Sequence, residues 1–184
     1  MASGMGTRFG GNKLMAKLEG APLIQHVIQA TEKHFEKRVV VTRHNDVAKL
    51  CRALGAEVAL RNKPHRNDTV RLGMDATSEC DTVTFFQADQ PLISPRTITA
   101  LLCAAENNPE YIWRASFEGA PGAPVLFPSW TFDELRTLPS GKGGGYVAKQ
   151  HEELVRCIEV SSKWELFDVD TLEDLALLRR HLAL

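Results

Sequence analysis

The opening segment Ala2–Lys13 (ASGMGTRFGGNK) crowds glycines around two cations, Arg8 and Lys13. Glycine lets backbone N–H groups approach a phosphate closely, and flanking cations offset its charge. The segment therefore reads as a phosphate-binding loop, against the plainer alternative of an exposed loop of small residues. It matches neither of two common phosphate loops. Gly6 and Gly11 have P-loop spacing, but Asn12 precedes Lys13 and Leu14 stands where a hydroxyl is needed. A dinucleotide fingerprint needs GxGxxG and an acid after the second strand; this chain has GxGxxxG, and Val41 is followed by Thr-Arg-His. A second chemical candidate is Asp89, in Ala-Asp-Gln-Pro just after the apolar run Val83–Phe86. A carboxylate at the C-terminal end of a parallel strand sits where ligands gather and suits Mg²⁺, which takes one or two carboxylates and keeps waters. The alternative is an Asp that caps a turn before proline. Asp168 and Asp170 flank Val169, so an extended backbone puts both on one side. They can serve a metal or cap the helix that follows.

Elements to position these groups are legible in the apolar pattern. Arg38–Val41 and Val83–Phe86 read as short buried strands, with Glu57–Leu60 a third. Helical spacing covers Pro22–Phe35 and Val47–Leu54, the latter closed by Gly55. Ser94-Pro95 is an N-cap and first-turn proline opening a helix to about Asn107. Thr171-Leu-Glu-Asp174 is a capping-box pattern that opens a last helix to about His181. The segments Glu118–Pro128 and Gly141–Gly145, rich in Gly and Pro, read as flexible loops. Alternating strands and helices imply an α/β fold, a Rossmann-like αβα sandwich with a mostly parallel central sheet.

The 184 residues fit one domain, 1–184. A net charge of −1 argues against nucleic acid as the main partner, and no apolar run is long enough for a membrane span. Cys51, Cys80, Cys103 and Cys157 are scattered without a CxxC pair, as expected of reduced thiols in a cytoplasmic protein. The histidines have no ligand pairing, and Trp113, Trp130 and Trp164 read as core or rim.

Five segments, in order, resemble the MobA-like nucleotidyltransferases, and among them the molybdenum cofactor cytidylyltransferase type. They are Ala2–Leu14, Leu18-Glu-Gly-Ala-Pro-Leu-Ile24, Ala88–Ser94 (ADQPLIS), Gly122-Ala-Pro-Val-Leu-Phe127 and Asp168-Val-Asp-Thr-Leu-Glu-Asp-Leu175. The resemblance implies Mg²⁺-dependent transfer of CMP from CTP to a phosphorylated molybdopterin-type acceptor, with release of pyrophosphate. It implies catalytic roles for Arg8, Lys13 and Asp89, and metal ligation by Asp89 and Asp170, with Asp168 as fallback. Ala2, Ser3, Gly4, Gly6, Thr7, Arg8, Lys13, Asn62 and Thr69 would hold the nucleotide. Gly122 and Pro124, with the Lys142 loop, would face the acceptor, and a molybdoenzyme or chaperone is an implied partner. Gly73 would let its helix pack closely.

The sequence departs from the family pattern in places. The family's glycine loop follows a central apolar strand, whereas only Met1 precedes Ala2. The expectation is that the first strand is missing from this chain, either because the recorded start lies downstream of the true one or because the core has diverged. Ser3 stands where cytidylyl-type relatives tend to carry Ala and guanylyl-type relatives Gly; a residue larger than glycine leans toward CTP. Lys63 separates Asn62 from Pro64, and Lys142 stands where relatives often have an acid. Two other readings stay open: guanylyl or other nucleotidyl transfer to a different small phosphorylated acceptor, and a non-catalytic nucleotide-binding module.

Overall fold

The computed structural model describes residues 2, 9–61, 65–77 and 80–183. Strands and helices alternate through the first half. After the small hairpin β1 (Lys17–Leu18) and β2 (Ala21–Pro22) come α1 (Leu23–Thr31), β3 (Val39–Thr42), α2 (Asn45–Ala53), β4 (Glu57–Leu60) and α3 (Arg66–Asp75). Next are β5 (Thr82–Phe85), α4 (Pro95–Asn107), β6 (Ile112–Phe117) and β7 (Ala120–Pro128). The chain closes with α5 (Phe132–Arg136), α6 (Gly144–Gln150), β8 (Val155–Glu159) and α7 (Leu172–Leu182).

Local chemistry sets several of these boundaries. The Ser94 hydroxyl accepts from Thr97 N, and Pro95 opens α4. Thr171 and Asp174 complete the reciprocal capping box of α7. Gly55 takes a positive φ of 76° just after α2, a region where Cβ-bearing residues are strained. The helix expected over Pro22–Phe35 stops at Thr31, whose hydroxyl turns back onto the carbonyls of Val27 and Ile28.

β3 pairs in parallel with β4, while a four-stranded sheet runs in the order β5-β7-β6-β8. β7 is antiparallel to both neighbours and β6 is parallel to β8, so three of the four strands share one direction and only β7 is reversed. This is the α/β sandwich expected. The flexible loop expected over Glu118–Pro128 is instead β7, the strand that joins β5 to β6. Its prolines fall where the ladder tolerates them, and a register shift lies opposite at Arg114/Ser116. Its side chains alternate between two cores. Val125 and Phe127 pack with Val70, Leu135 and Val147 on one face, and Leu126 packs with Leu101 and Ala105 of α4 on the other. The glycines at 144 and 145 open α6 rather than continue a loop: a Cβ on Gly144 would lie 2.9 Å from Phe85 and 3.1 Å from Phe127. Only glycine lets this helix approach so closely.

Ala2 is buried and forms a parallel bridge to Thr42, its N donating to Val41 O at 3.2 Å. It packs with Leu14, Ile24, Ile28, Val40 and Val47 in a third cluster. No helix among the described residues is long and apolar enough to cross a membrane.

Candidate active site

Lys13 opens a short 3₁₀ turn, Lys13–Met15, fixed at two points. Leu14 anchors it in the apolar cluster, and Asn12 Nδ2 donates to both oxygens of Asp46 at 2.9 Å. Burial works against the Asp46 charge, but the donors on Asn12 and Val47 N outweigh it and hold the carboxyl below its ordinary value. Asp46 thereby ties the Lys13 turn to the start of α2. Asn12 and Asp46 were not among the expected functional residues; no pattern in the sequence joins positions 34 apart.

Asp89 lies in the turn that follows β5, next to buried Ala88. Its carbonyl accepts from Val169 N at 3.0 Å, laying the segment before α7 against this turn. Val169 is fully buried among Leu18, Leu23, Leu175 and Leu178. Its flanking acids face the Asp89 side, as an extended backbone requires. The capping work falls to Thr171 and Asp174, whose carboxylate accepts from the backbone N of both Asp170 and Thr171. The Asp170 carboxylate is thus oriented without being spent on the helix.

These elements converge on one point. Lys13 Nζ lies 2.6 Å from Asp89 Oδ2 and 2.7 Å from Asp170 Oδ1. Burial disfavours the ammonium, but hydrogen bonds and attraction from both carboxylates outweigh it and raise the lysine above its ordinary value. Asp168 completes an acidic rim. Its own burial and then the nearby Asp89 charge push its carboxyl up, against a hydrogen bond to Gln90. Gln90 Nε2 also donates to Leu166 O, linking the Asp89 turn to the 3₁₀ turn Lys163–Leu166.

The other expected residues fall in three places. Thr69 is buried in α3, and its hydroxyl accepts from the Arg61 guanidinium at 2.7 Å. Arg61, itself buried just after β4, was not anticipated. Burial and then Arg43 lower it from its ordinary value. Gly122 and Pro124 lie within β7. Gly122 sits against Leu166, where a Cβ would come within 2.9 Å, and its carbonyl accepts from Arg114 Nε and Nη2 at 3.2 and 3.0 Å. Arg114 was also missed, because nothing in the sequence separates it from other strand arginines. Gly73 packs α3 against β3, with Val41 3.6 Å from where its Cβ would be. Ser3, Gly4, Gly6, Thr7, Arg8 and Asn62 lie outside the described residues.

Two carboxylate oxygens converging on one cationic point fit a hard divalent ion, which needs oxygen ligands from few side chains. Among the described residues no group of three His, Cys, Asp or Glu side chains is placed to hold a metal, so any ion here would take its remaining ligands from water or substrate.

The α/β sandwich thus brings Lys13, Asp89 and Asp170 together where β5 has ended and α7 is about to begin. Residues 1–154 match the MobA-like NTP transferase domain, and the chain belongs to this family of nucleotidyltransferases. Among curated relatives, the 3-deoxy-manno-octulosonate cytidylyltransferase of Pasteurella multocida is 34% identical over 104 residues, 54% of this chain and 39% of that protein. The chain thus spans about two-fifths of the length of that relative. Among solved structures, Rv0371c of Mycobacterium tuberculosis superposes with a TM-score of 0.84 at 20% identity, covering 97% of this chain and 95% of the other. The molybdopterin-guanine dinucleotide biosynthesis protein A of Archaeoglobus fulgidus superposes at 0.75 with 19% identity, covering 99% and 96%. At such identities the two structures establish the shared fold.

Proposed function

We propose that this nucleotidyltransferase moves CMP from CTP to a phosphate on a molybdopterin-type acceptor and releases pyrophosphate. The observation that carries the reading is Lys13 Nζ held between Asp89 and Asp170 at the end of β5. The reaction needs little covalent help from protein: an acceptor oxygen attacks the α-phosphorus as the bond to the β-phosphate breaks. Catalysis then rests on in-line positioning and charge neutralisation. Lys13 and Arg8 neutralise the triphosphate and the departing pyrophosphate, while backbone amides of Ser3–Thr7, with Asn62 and Thr69, hold the nucleotide. Asp89 and Asp170 would hold Mg²⁺, which supplies Lewis-acid polarisation of the phosphate oxygens. Gly122 and Pro124 line the acceptor side, joined to the Asp89 turn through Leu166 and Gln90. The small Ser3 side chain and the cytidylyltransferase relative both favour CTP over GTP.

A second acceptor reading has its own support. Arg114 is half-buried beside Gly122, donating only to a carbonyl in the bonds above, and a desolvated guanidinium suits a carboxylate as well as a phosphate. An acidic sugar, as in the name of the Pasteurella relative, is the corresponding acceptor class.

Pyrophosphate release from CTP, measured with purified molybdopterin, with an acidic 3-deoxy sugar and with neither, tests both readings. Release only with molybdopterin and CTP, abolished in Asp89→Ala, is expected. Release only with the sugar acid would transfer the assignment to the second reading. No release with either acceptor, while CTP still binds, would make the chain a nucleotide-binding module.

A further inference from the structure

Gln90 takes no part in the chemistry proposed above, yet it is a buried polar side chain at the centre of the site. It is 5% exposed and stands between Asp89 and buried Pro91 in the turn after β5. A primary amide is buried at a cost unless its groups are hydrogen-bonded, and this one faces two acceptors. Nε2 donates to Leu166 O at 3.1 Å, and the Asp168 carboxylate also takes a hydrogen bond from the Gln90 side chain. A carbonyl and a carboxylate can only accept, so both bonds come from Nε2 and use its two hydrogens. The amide thereby bridges the segment that carries Asp168 and Asp170 to the turn that carries Asp89.

One end of this bridge is anchored from two directions. Leu166 closes the 3₁₀ turn Lys163–Leu166, whose buried Glu165 accepts from Ser94 N and Thr97 Oγ1 at the start of α4. The Leu166 side chain rests on β7, its Cδ1 2.9 Å from where a Cβ on Gly122 would lie. The carbonyl that holds Gln90 is thus fixed from α4 and from β7. Two other links join the acid-bearing segments: Val169 N donates to Asp89 O at 3.0 Å, and Lys13 Nζ lies between Asp89 and Asp170. The first sets only the backbones. The second is a cation, which the proposed reaction also sets against the triphosphate. A neutral amide holds the acids in register without cancelling the charge that a divalent ion needs.

We propose that Gln90 is a positioning residue of this active site: its amide, held by Leu166 O, fixes the Asp168–Asp170 segment against the Asp89 turn and so sets the geometry of the acid pair. Its catalytic consequence rests on the nucleotidyl-transfer reading; the bridge itself does not. In the proposed reaction Gln90 touches neither nucleotide nor acceptor, so its loss acts on turnover rather than on CTP capture. Outer partners that orient a ligating carboxylate are worth about 10- to 100-fold in metal affinity or activity. A carboxylate at position 90 is worse than an apolar group there: it donates to neither partner and sets a further negative charge beside Asp89 and Asp168.

Two readouts on Gln90→Met and Gln90→Glu test this. Without any ligand, amide hydrogen exchange at Val169 should quicken at least about tenfold in Gln90→Met, while Leu175, bonded to Thr171 O in α7, stays within about twofold. Equal protection of Val169 in Gln90→Met and wild type would overturn the proposal, and so would a matching loss at Leu175, the mark of general loosening. In pyrophosphate release with Mg²⁺, Gln90→Met should lower kcat about 10- to 100-fold and leave KM for CTP within about twofold. Gln90→Glu should lose more, and adding Asp168→Asn, which rebuilds the donor–acceptor pair in reverse, should recover at least about tenfold. An unchanged kcat, a change in KM alone, or no recovery in the double variant would each contradict the positioning role. A wild type that releases no pyrophosphate would sink the CTP reading, and exchange at Val169 would still decide whether Gln90 holds the two segments together.

Discussion

The two flanks of the sheet are built to different standards. Strand β7 is paired along both edges, Phe127 is fully buried, and α6 approaches so closely that Gly144 has no room for a Cβ. Around β3 the helices α1 and α3 present apolar side chains to an open cavity, and β3 meets Ala2 at a single bridge. The difference teaches where stability resides. The β7 flank is already dense, so it loses contacts with any truncation, whereas the β3 flank has fewer contacts to lose. The site joins the two: Leu14 roots the Lys13 turn in the β3 flank, while Asp89 follows β5 and Asp170 precedes α7.

The largest expected effect sharpens that contrast. Phe127→Ala should cost about 4 kcal/mol in urea unfolding, because a large aromatic is removed from a filled core. A cost under about 1 kcal/mol would mean that the β7 flank is looser than its packing implies. Next, Lys13→Met should slow pyrophosphate release about 100-fold, near 2.7 kcal/mol, by removing the cation that joins the flanks. An unchanged rate would take Lys13 out of the chemistry.

Glu165 comes third. Buried at the edge of the filled flank, it accepts from Ser94 N, Thr97 Oγ1 at 2.6 Å and Ser161 Oγ. Burial opposes its charge, but these donors outweigh it and lower its carboxyl from its ordinary value. A lowered folded-state value means that the unfolded chain binds the proton more readily. Its stabilisation is therefore complete above the ordinary glutamate value of 4.5 and is lost as pH falls through the lower folded value. Glu165→Gln should cost about 2 kcal/mol at pH 7 and flatten the acid limb of the stability–pH curve. An unchanged acid limb would show that the carboxylate does not pin the 3₁₀ turn to α4. The smallest effect is expected in the open flank, where Val27→Ala should cost about 1 kcal/mol, the low end for a buried truncation, because its side chain already borders empty space. A loss comparable to that of Phe127→Ala would erase the contrast.

What the sequence made legible follows the same division. Elements with local signals came through: Ser94-Pro95, the Thr171/Asp174 capping box, the Gly55 helix stop and the strand Glu57–Leu60. Asp89 and Asp170 were readable because a strand end and a two-residue spacing are local facts. Their meeting with Lys13, 76 and 157 positions away, is a tertiary fact that only the motif resemblance anticipated. β7 was misread because its composition is that of a loop, and only pairing on both sides makes Ala120–Pro128 a strand. Gly144 looked like flexibility but serves close packing against Phe85 and Phe127. Arg61 and Arg114 carry no local signal, since their roles depend on which hydroxyl or carbonyl the fold brings to them.

The central claim is that Lys13, Asp89 and Asp170 form a metal–nucleotide site, and CTP-induced thermal stabilisation tests it most directly. The wild-type chain and Asp89→Asn are each heated with CTP, with and without Mg²⁺. The wild type should gain about 2.7 kcal/mol at 100 times Kd only when Mg²⁺ is present, and Asp89→Asn should lose that metal-dependent gain. An equal gain in both proteins, or one that ignores Mg²⁺, would contradict the account.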